Sequence, residues 1–510
     1  MSFKTKIIAI VLIACMVAGI IYVGNQNNEK NDQEKILSTK DKVETVTLWY
    51  TDDTYTDYFT NAAVAFHAEN PDIRVIPSLV SDNEFFETAY TASVEGKDYP
   101  DLLLLSNDAL EKAYLAGLAS QSDANATVIS HLNFPGGALK SVTYNNKKIA
   151  YPLSFETSIL LYNKTFLTEW ADKVNSGEAE SGKGSLSEEE LEDAGIEIDE
   201  EDFNQEEISD SGETEEIVPV TYSDFVPTDF QQLKTFADSY TVPEGVETVL
   251  KWDVSDIFYN YFFVGNYMVV GGEAGDDSGN IDIYNDNTLA CLREYQSLSS
   301  FFSIDENSTE YEDVLQDFLD GKTVFTIARS DAIEKIKEKE EQMQEAYEKA
   351  VAEAEKLSQA PVSEEEKNVE FPPVYDFEYT VLPDISPELQ TKPLSVTKCI
   401  TVNGFSDSKD AANKFAAFVT TEYATNLYQR TGFLASTNNS GCEEEIFKVF
   451  LQEYENSIPL PKIVETSNLW VQLEITFKDI WSGEDVAVRF KDFSDQILLQ
   501  IKGAEILNQK

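Results

Sequence analysis

Apolar and polar positions begin to follow a regular pattern at residue 43. Val-Glu-Thr-Val-Thr-Leu-Trp-Tyr over 43–50 is rich in β-branched and aromatic residues and reads as a strand. Thr51-Asp-Asp-Thr then opens a stretch in which Phe59, Ala63, Phe66 and His67 recur at helical spacing, and Asn70-Pro71 closes it. A second strand over 73–79 and a helix around 85–95 follow, and then Pro100-Asp101-Leu-Leu-Leu-Leu-Ser106, a short continuous apolar run of the kind buried in a parallel sheet. The order β-α-β-α-β predicts an open parallel sheet with helices on both faces, whose binding positions lie at the carboxyl ends of the strands. Trp49, Tyr50, Asp52, Ser106, Asn107 and Asp108 fall at such ends.

Ahead of this region, Lys4 and Lys6 precede an unbroken apolar run from Ile7 to Val23, the signature of an export segment. Leu12-Ile13-Ala14-Cys15 looks like a lipoprotein cleavage site, with Cys15 as the acylated residue. Residues 16–23 stay apolar, however, and the whole run approaches the roughly 17–25 residues that span a bilayer, so residues 1–24 read as an uncleaved signal anchor or a lipoprotein signal segment. Positive charge on the short N-terminal side predicts that the bulk of the chain lies on the extracytoplasmic face of the cell membrane, anchored at its N-terminus. The polar, aperiodic residues 25–42 form a flexible tether.

Composition narrows the function classes. With 510 residues, 42% of them apolar, the chain is long enough for two globular domains. A formal net charge of −55 with only 38 Lys and Arg argues against nucleic acid as a partner, because phosphate-backbone binding needs clustered cations. The four cysteines are too scattered for a disulfide framework or a zinc site. The sequence has just two histidines, His67 and His131, with no G-x-S-x-G, H-E-x-x-H or Gly-rich phosphate loop, so neither catalysis nor a metal or other cofactor is expected. Two segments break the globular pattern. Residues 175–217 are too acidic and too poor in aromatics to offset their ordering entropy, and residues 333–358 carry Glu and Lys at i,i+4 spacing, as a solvated helix does.

Four blocks, in order, resemble the family 1 extracellular solute-binding proteins, the maltose-binding-protein-like group. They are Tyr99-Pro-Asp-Leu-Leu-Leu-Leu-Ser-Asn-Asp108 with Leu115-Ala-Gly-Leu118; Lys147-Lys-Ile-Ala-Tyr-Pro-Leu-Ser-Phe-Glu-Thr-Ser158 running into Leu161-Tyr-Asn-Lys164; Phe318-Leu-Asp-Gly-Lys-Thr-Val-Phe-Thr-Ile327; and Lys392-Pro-Leu-Ser-Val with Ile400-Thr-Val-Asn, a helix over 411–428, and Thr431-Gly-Phe-Leu434. The resemblance implies a two-domain periplasmic-binding-protein-like α/β fold, with hinge-connected open sheets around a central ligand cleft. The first domain would cover 43–154 and the second 155–390, the latter holding the acidic insertion 175–217 and the charged helix 333–358. Residues 391–510 would form the hinge return and C-terminal helices packing across both domains.

The same resemblance implies a monomeric receptor that delivers a mono- or oligosaccharide to the permease subunits of an ABC importer. A surface binding or sensing protein without transport is the alternative, and a secreted glycoside hydrolase a more distant one. Sugars need flat aromatic faces and a few hydrogen-bonding carboxylates or amides. The candidates are Trp49, Tyr50, Asp52, Asn107, Asp108, Glu156, Arg329, Ser330, Phe433 and Trp470. Each has a structural rival: one of Trp49 and Tyr50 should point into the core, Asp52 fits a helix cap, and the aromatic patch of Trp252, Tyr259, Tyr261 and Phe262 fits either core or cleft wall.

Overall fold

The computed structural model describes residues 43–121, 127–179, 219–305, 309–358, 369, 371–442, 444–466 and 468–508. The apolar run 7–23 with Cys15, the tether 25–42 and residues 180–217 of the acidic segment lie outside the described residues.

The N-terminal alternation appears as β1 (Glu44–Tyr50), α1 (Thr56–Glu69), β2 (Ile73–Leu79), α2 (Phe85–Glu95) and β3 (Leu102–Ser106). Helix α1 begins later than the sequence suggests, because the Asp52 carboxylate accepts the Thr54 N–H at 2.9 Å and caps a separate 3-10 turn, Asp53–Tyr55. Strand β1 lies parallel to both β2 and β3, with Val46, Leu48 and Tyr50 alternating into the core. His67 is structural: its Nδ1 contacts the Ile73 carbonyl at 2.6 Å.

The chain continues through α3 (Leu110–Leu115) and α4 (Gly136–Ser141) to β4 (Tyr151–Glu156), then passes Thr157 and Ser158 into β5 (Ile159–Asn163) and α5 (Lys164–Ser176). Beyond the acidic segment come α6 (Phe230–Ser239), β6 (Thr248–Leu250), α7 (Ile257–Asn260), α8 (Asp286–Phe302), α9 (Tyr311–Leu319), β7 (Thr323–Ala328), α10 (Ala332–Ser358) and β8 (Phe377–Thr380). The return consists of β9 (Leu394–Val402), α11 (Lys409–Thr420), β10 (Leu434–Ala435), α12 (Glu445–Asn456), β11 (Ile458–Pro459) and α13 (Leu469–Trp481).

Two sheets organise this chain. The first runs β10-β4-β9-β3-β1-β2 with β11 beside β9, and the second runs β8-β5-β7-β6. The parallel sheet expected from the N-terminal pattern is therefore mixed. The chain leaves the first sheet along β4 and re-enters along β9; β9 lies antiparallel to β3 and β4 and parallel to β11. Consecutive strands β4 and β5 belong to different sheets, so Thr157 and Ser158 form one crossing, residues 381–393 a second, and the segment after β11 a third.

The helix expected over 411–428 is interrupted. Thr420 and Thr421 turn their hydroxyls back onto the Ala416 and Ala417 carbonyls, α11 stops there, and a 3-10 turn and a short helix, Leu427–Thr431, follow. Helix α10 buries Ala332, Ile333, Ile336, Met343 and Ala350 and is otherwise mostly polar and charged. Trp170 and Trp481 are core residues, each 2% exposed. No described helix is long and apolar enough to cross a membrane.

The crossing region is packed to backbone contact. A Cβ on Gly137 of α4 would stand 1.9 Å from the Tyr454 carbonyl oxygen of α12, too close for any side-chain adjustment to relieve. Gly137→Ala is therefore expected to destabilise the protein by about 2 kcal/mol or more, read as a lower urea midpoint at unchanged m-value; an unchanged midpoint would show that the two helices part freely.

Candidate functional site

Glu156 ends β4, opposite Val396 of β9, at the point where the chain leaves the first sheet. Ser330 lies just past the end of β7 in the second sheet. Its backbone N–H and its hydroxyl donate to the two carboxylate oxygens of Glu156, each at 2.9 Å. The residue as a whole is half-buried, but its carboxylate end is enclosed. Burial pushes the Glu156 carboxyl up to about 7, against the opposing effect of the Ser330 hydrogen bonds. A carboxylate placed here bridges the two sheets.

A cation and a tyrosine stack surround this bridge on the second-lobe side. Arg329 Nε donates to Asp331 at 3.1 Å, its guanidinium approaches Glu312 at 3.7 Å, and it lies 4.6 Å from the Tyr311 ring centroid. The Tyr311 hydroxyl donates to Asp331 at 2.6 Å. Burial alone would raise the Asp331 carboxyl, but these hydrogen bonds from Tyr311 and Arg329 hold it below its ordinary value. Tyr259 of α7 stacks on Tyr311 at 4.9 Å and 13°. It is 1% exposed, and among the described residues its hydroxyl has no hydrogen-bond partner.

The first lobe contributes Tyr55, whose hydroxyl shares a 2.7 Å hydrogen bond with Ser154 and whose ring stacks on Phe433 at 5.2 Å. Burial raises the Tyr55 phenol, and the nearby Asp52 and Glu156 charges add to the effect. Past Phe433 a cavity of about 990 Å³ lies between the lobes, lined in part by Glu334, Lys337, Tyr428, Arg430 and Glu444. A Lys337–Glu444 ion pair at 2.8 Å and a Tyr428–Glu334 hydrogen bond at 3.3 Å cross it. A second cavity, about 920 Å³, lies between α4 with the hairpin after it and the loop 271–280, and none of the predicted site residues lines it. The Glu156 cluster rather than either cavity is the candidate site, because there a buried charge, a cation and aromatic rings from both lobes converge.

Glu156, Arg329 and Ser330 thus form one cluster, and Asp52 and Phe433 join it through Tyr55. Trp470, half-buried on α13, packs against Tyr261 at 5.7 Å. Trp49 is half-buried and Asp108 exposed at the carboxyl ends of β1 and β3. Two candidates have structural tasks instead. Tyr50 is the inward member of its pair, 2% exposed and bonded to Thr56 at 3.0 Å. Asn107 is fully buried, donating to the Leu460 carbonyl and accepting from the Thr397 N–H, each at 3.0 Å, and so ties β3 to the return strand and the third crossing.

Sequence reasoning missed Tyr55, Tyr311 and Asp331. Tyr55 and Asp331 are near neighbours of residues it chose, whereas Tyr311 is brought in only by tertiary contact. Of the aromatic patch, Trp252, Tyr259, Tyr261 and Phe262 are each no more than 1% exposed. Among the described residues, no group of three or more His, Cys, Asp or Glu side chains is placed to hold a metal ion.

Two α/β lobes joined by crossing strands, with a charged and aromatic cluster where the strands pass between them, define the class of hinged periplasmic-type binding proteins. The chain belongs to the bacterial extracellular solute-binding proteins, whose family model matches residues 61–448. Membership places the protein outside the cytoplasm and among proteins that bind solutes.

Solved structures share the fold. The extracellular solute-binding protein of Staphylococcus aureus in complex with maltose superposes with a TM-score of 0.66 at 16% identity, over 91% of this chain and 99% of that one. A cyclo/maltodextrin-binding protein complexed with maltotetraose gives 0.62 at 16% identity, over 91% and 98%. The maltose-binding periplasmic protein of Listeria monocytogenes in complex with maltose gives 0.60 at 17% identity, over 92% and 99%. Among curated proteins none matches the sequence.

Proposed function

We propose that this protein captures a neutral mono- or oligosaccharide between its lobes and presents it to the permease subunits of an ABC importer, while its N-terminal segment holds it to the outer face of the membrane. The observation that carries this reading is the Glu156–Ser330 bridge, a buried carboxylate shared between the two sheets at the crossing strand. Such a group accepts hydrogen bonds from hydroxyls, and the half-buried rings of Phe433 and Trp470 supply flat apolar faces for sugar C–H surfaces. Arg329 is already paired with Asp331 and Glu312, which favours an uncharged ligand over an anion. The neighbouring structures that hold maltose and maltotetraose point the same way.

A thermal-shift screen against sugars, amino acids, polyamines and metal ions tests this, because a ligand that binds only the folded state raises the melting temperature. Stabilisation by one class of neutral saccharide is the expected result; stabilisation by amino acids or polyamines alone would contradict it. Trp470→Ala is expected to weaken saccharide binding about tenfold, a change of about 1.4 kcal/mol. An affinity equal to that of the parent would remove Trp470 from the site.

A further inference from the structure

Tyr259 presents a chemical anomaly in the second lobe. Its ring is accounted for, since it stacks on Tyr311, whose own hydroxyl is fixed by Asp331 and whose ring carries the Arg329 guanidinium. Its hydroxyl is not, being enclosed and without a partner among the described residues, in a side chain only 1% exposed. Burying a hydroxyl without a hydrogen bond is unfavourable, and phenylalanine would give the same stack without that cost.

Other buried polar groups also lack partners, among them Tyr240, Trp170 and Thr326. Tyr259 differs in what surrounds it. Its hydroxyl feels the charges of Arg329, Asp331 and Glu156, members of the candidate site, and its ring stacks on Tyr311 beside them. Tyr240, by contrast, sits against Trp170 and Phe236 with Glu169 as its charged neighbour.

We propose that the Tyr259 hydroxyl is a specificity-determining ligand contact, enclosed while Glu156 and Ser330 are bonded to each other and uncovered when the lobes part, where it donates a hydrogen bond to a hydroxyl or ring oxygen of the saccharide. The proposal rests on the receptor reading above and deepens it. Because burial keeps the phenol protonated through the physiological range, Tyr259 acts as a donor. The ligand-bound protein would then hold one donor from the second lobe and one acceptor, Glu156, from the first, the saccharide replacing Ser330 as the partner of Glu156, so that a saccharide satisfies both only when it spans the cleft. A site built to bond a hydroxyl discriminates against analogues that lack it, because its own buried polar group is then left unpaired.

Tyr259→Phe gives stability and affinity opposite signs, which a merely packed tyrosine does not. The variant and the parent are compared by melting temperature without ligand, and by calorimetric titration with maltose, maltotetraose and a panel of other neutral mono- and oligosaccharides. The expected result is an equal or higher melting temperature together with an affinity about tenfold lower for the tightest-binding sugar. Tyr240→Phe serves as the control, with its melting temperature equal or higher and its affinity unchanged. A Tyr259→Phe variant that melts higher and binds as well as the parent overturns the proposal, because the hydroxyl is then only trapped. A variant that melts lower also overturns it, because the hydroxyl then has a partner in the ligand-free fold. If the parent binds no member of the panel, the receptor reading itself fails and this contact falls with it.

Discussion

Glu156→Gln is expected to weaken saccharide binding by roughly 10- to 100-fold, the effect of removing a charge-assisted hydrogen bond worth about 1.5–3 kcal/mol. The same substitution is expected to change how stability depends on pH. The Glu156 carboxyl is raised in the folded protein from an ordinary 4.5 to about 7, chiefly by burial. Between those values the folded state binds the proton more tightly than the unfolded chain, so the stabilisation is fully present below about pH 4.5 and is lost as pH rises through about 7. A shift of this size corresponds to about 3 kcal/mol. Glu453 of α12, which accepts the Leu382 N–H at 2.5 Å, is raised to about 7 by burial as well and acts in the same direction. Melting temperatures of the parent should therefore fall between pH 5 and pH 7.5, and Glu156→Gln should remove part of that slope. A glutamine variant with the parent's slope would mean that the carboxylate is solvated and the bridge to Ser330 is not maintained.

Phe155→Ala is expected to destabilise the protein by about 3–5 kcal/mol, which makes it the largest stability effect of any substitution considered. Phe155 precedes Glu156 on the crossing strand and is 3% exposed. Its ring lies parallel to that of Tyr454, with centroids 3.9 Å apart and 2° between the planes. Tyr454 in turn shares a 2.7 Å hydrogen bond with Thr397 of β9, so the stack joins the outgoing strand, the returning strand and α12. Removing the ring leaves a cavity beside Glu156. Affinity should fall along with the urea midpoint, whereas Phe155→Leu, which retains most of the volume, should lose about 1 kcal/mol and keep binding. A Phe155→Ala variant with the parent's midpoint would place the crossing strand outside the cooperative core.

Local pattern carried much of the fold. The run 43–50 needed no tertiary information because of its β-branched and aromatic content, and the run 102–105 because a strand buried on both faces announces itself by composition. The Lys147–Ser158 block placed Glu156 at the crossing strand, and the apolar strand around it already made a carboxylate there conspicuous. What was not legible depended on direction and distance. Sheet polarity could not be read from the alternation, because β4 and β9 owe their antiparallel course to the chain's passage between lobes. Two threonines that bond back to the preceding turn ended α11 early, although the apolar period runs on past them. Asn107 looked like a ligand contact because it follows a buried strand, yet its amide is used up by two backbone groups far away in sequence. Tyr311 reaches the site from the start of α9, and no motif marks it.

The most direct test of the central claim is a calorimetric titration of the parent and Glu156→Gln with neutral mono- and oligosaccharides, maltose and maltotetraose among them. Saturable binding at one site per chain, weakened at least tenfold in the glutamine variant, is the expected result. Absence of binding to every saccharide, or equal affinity in the two proteins, would contradict it.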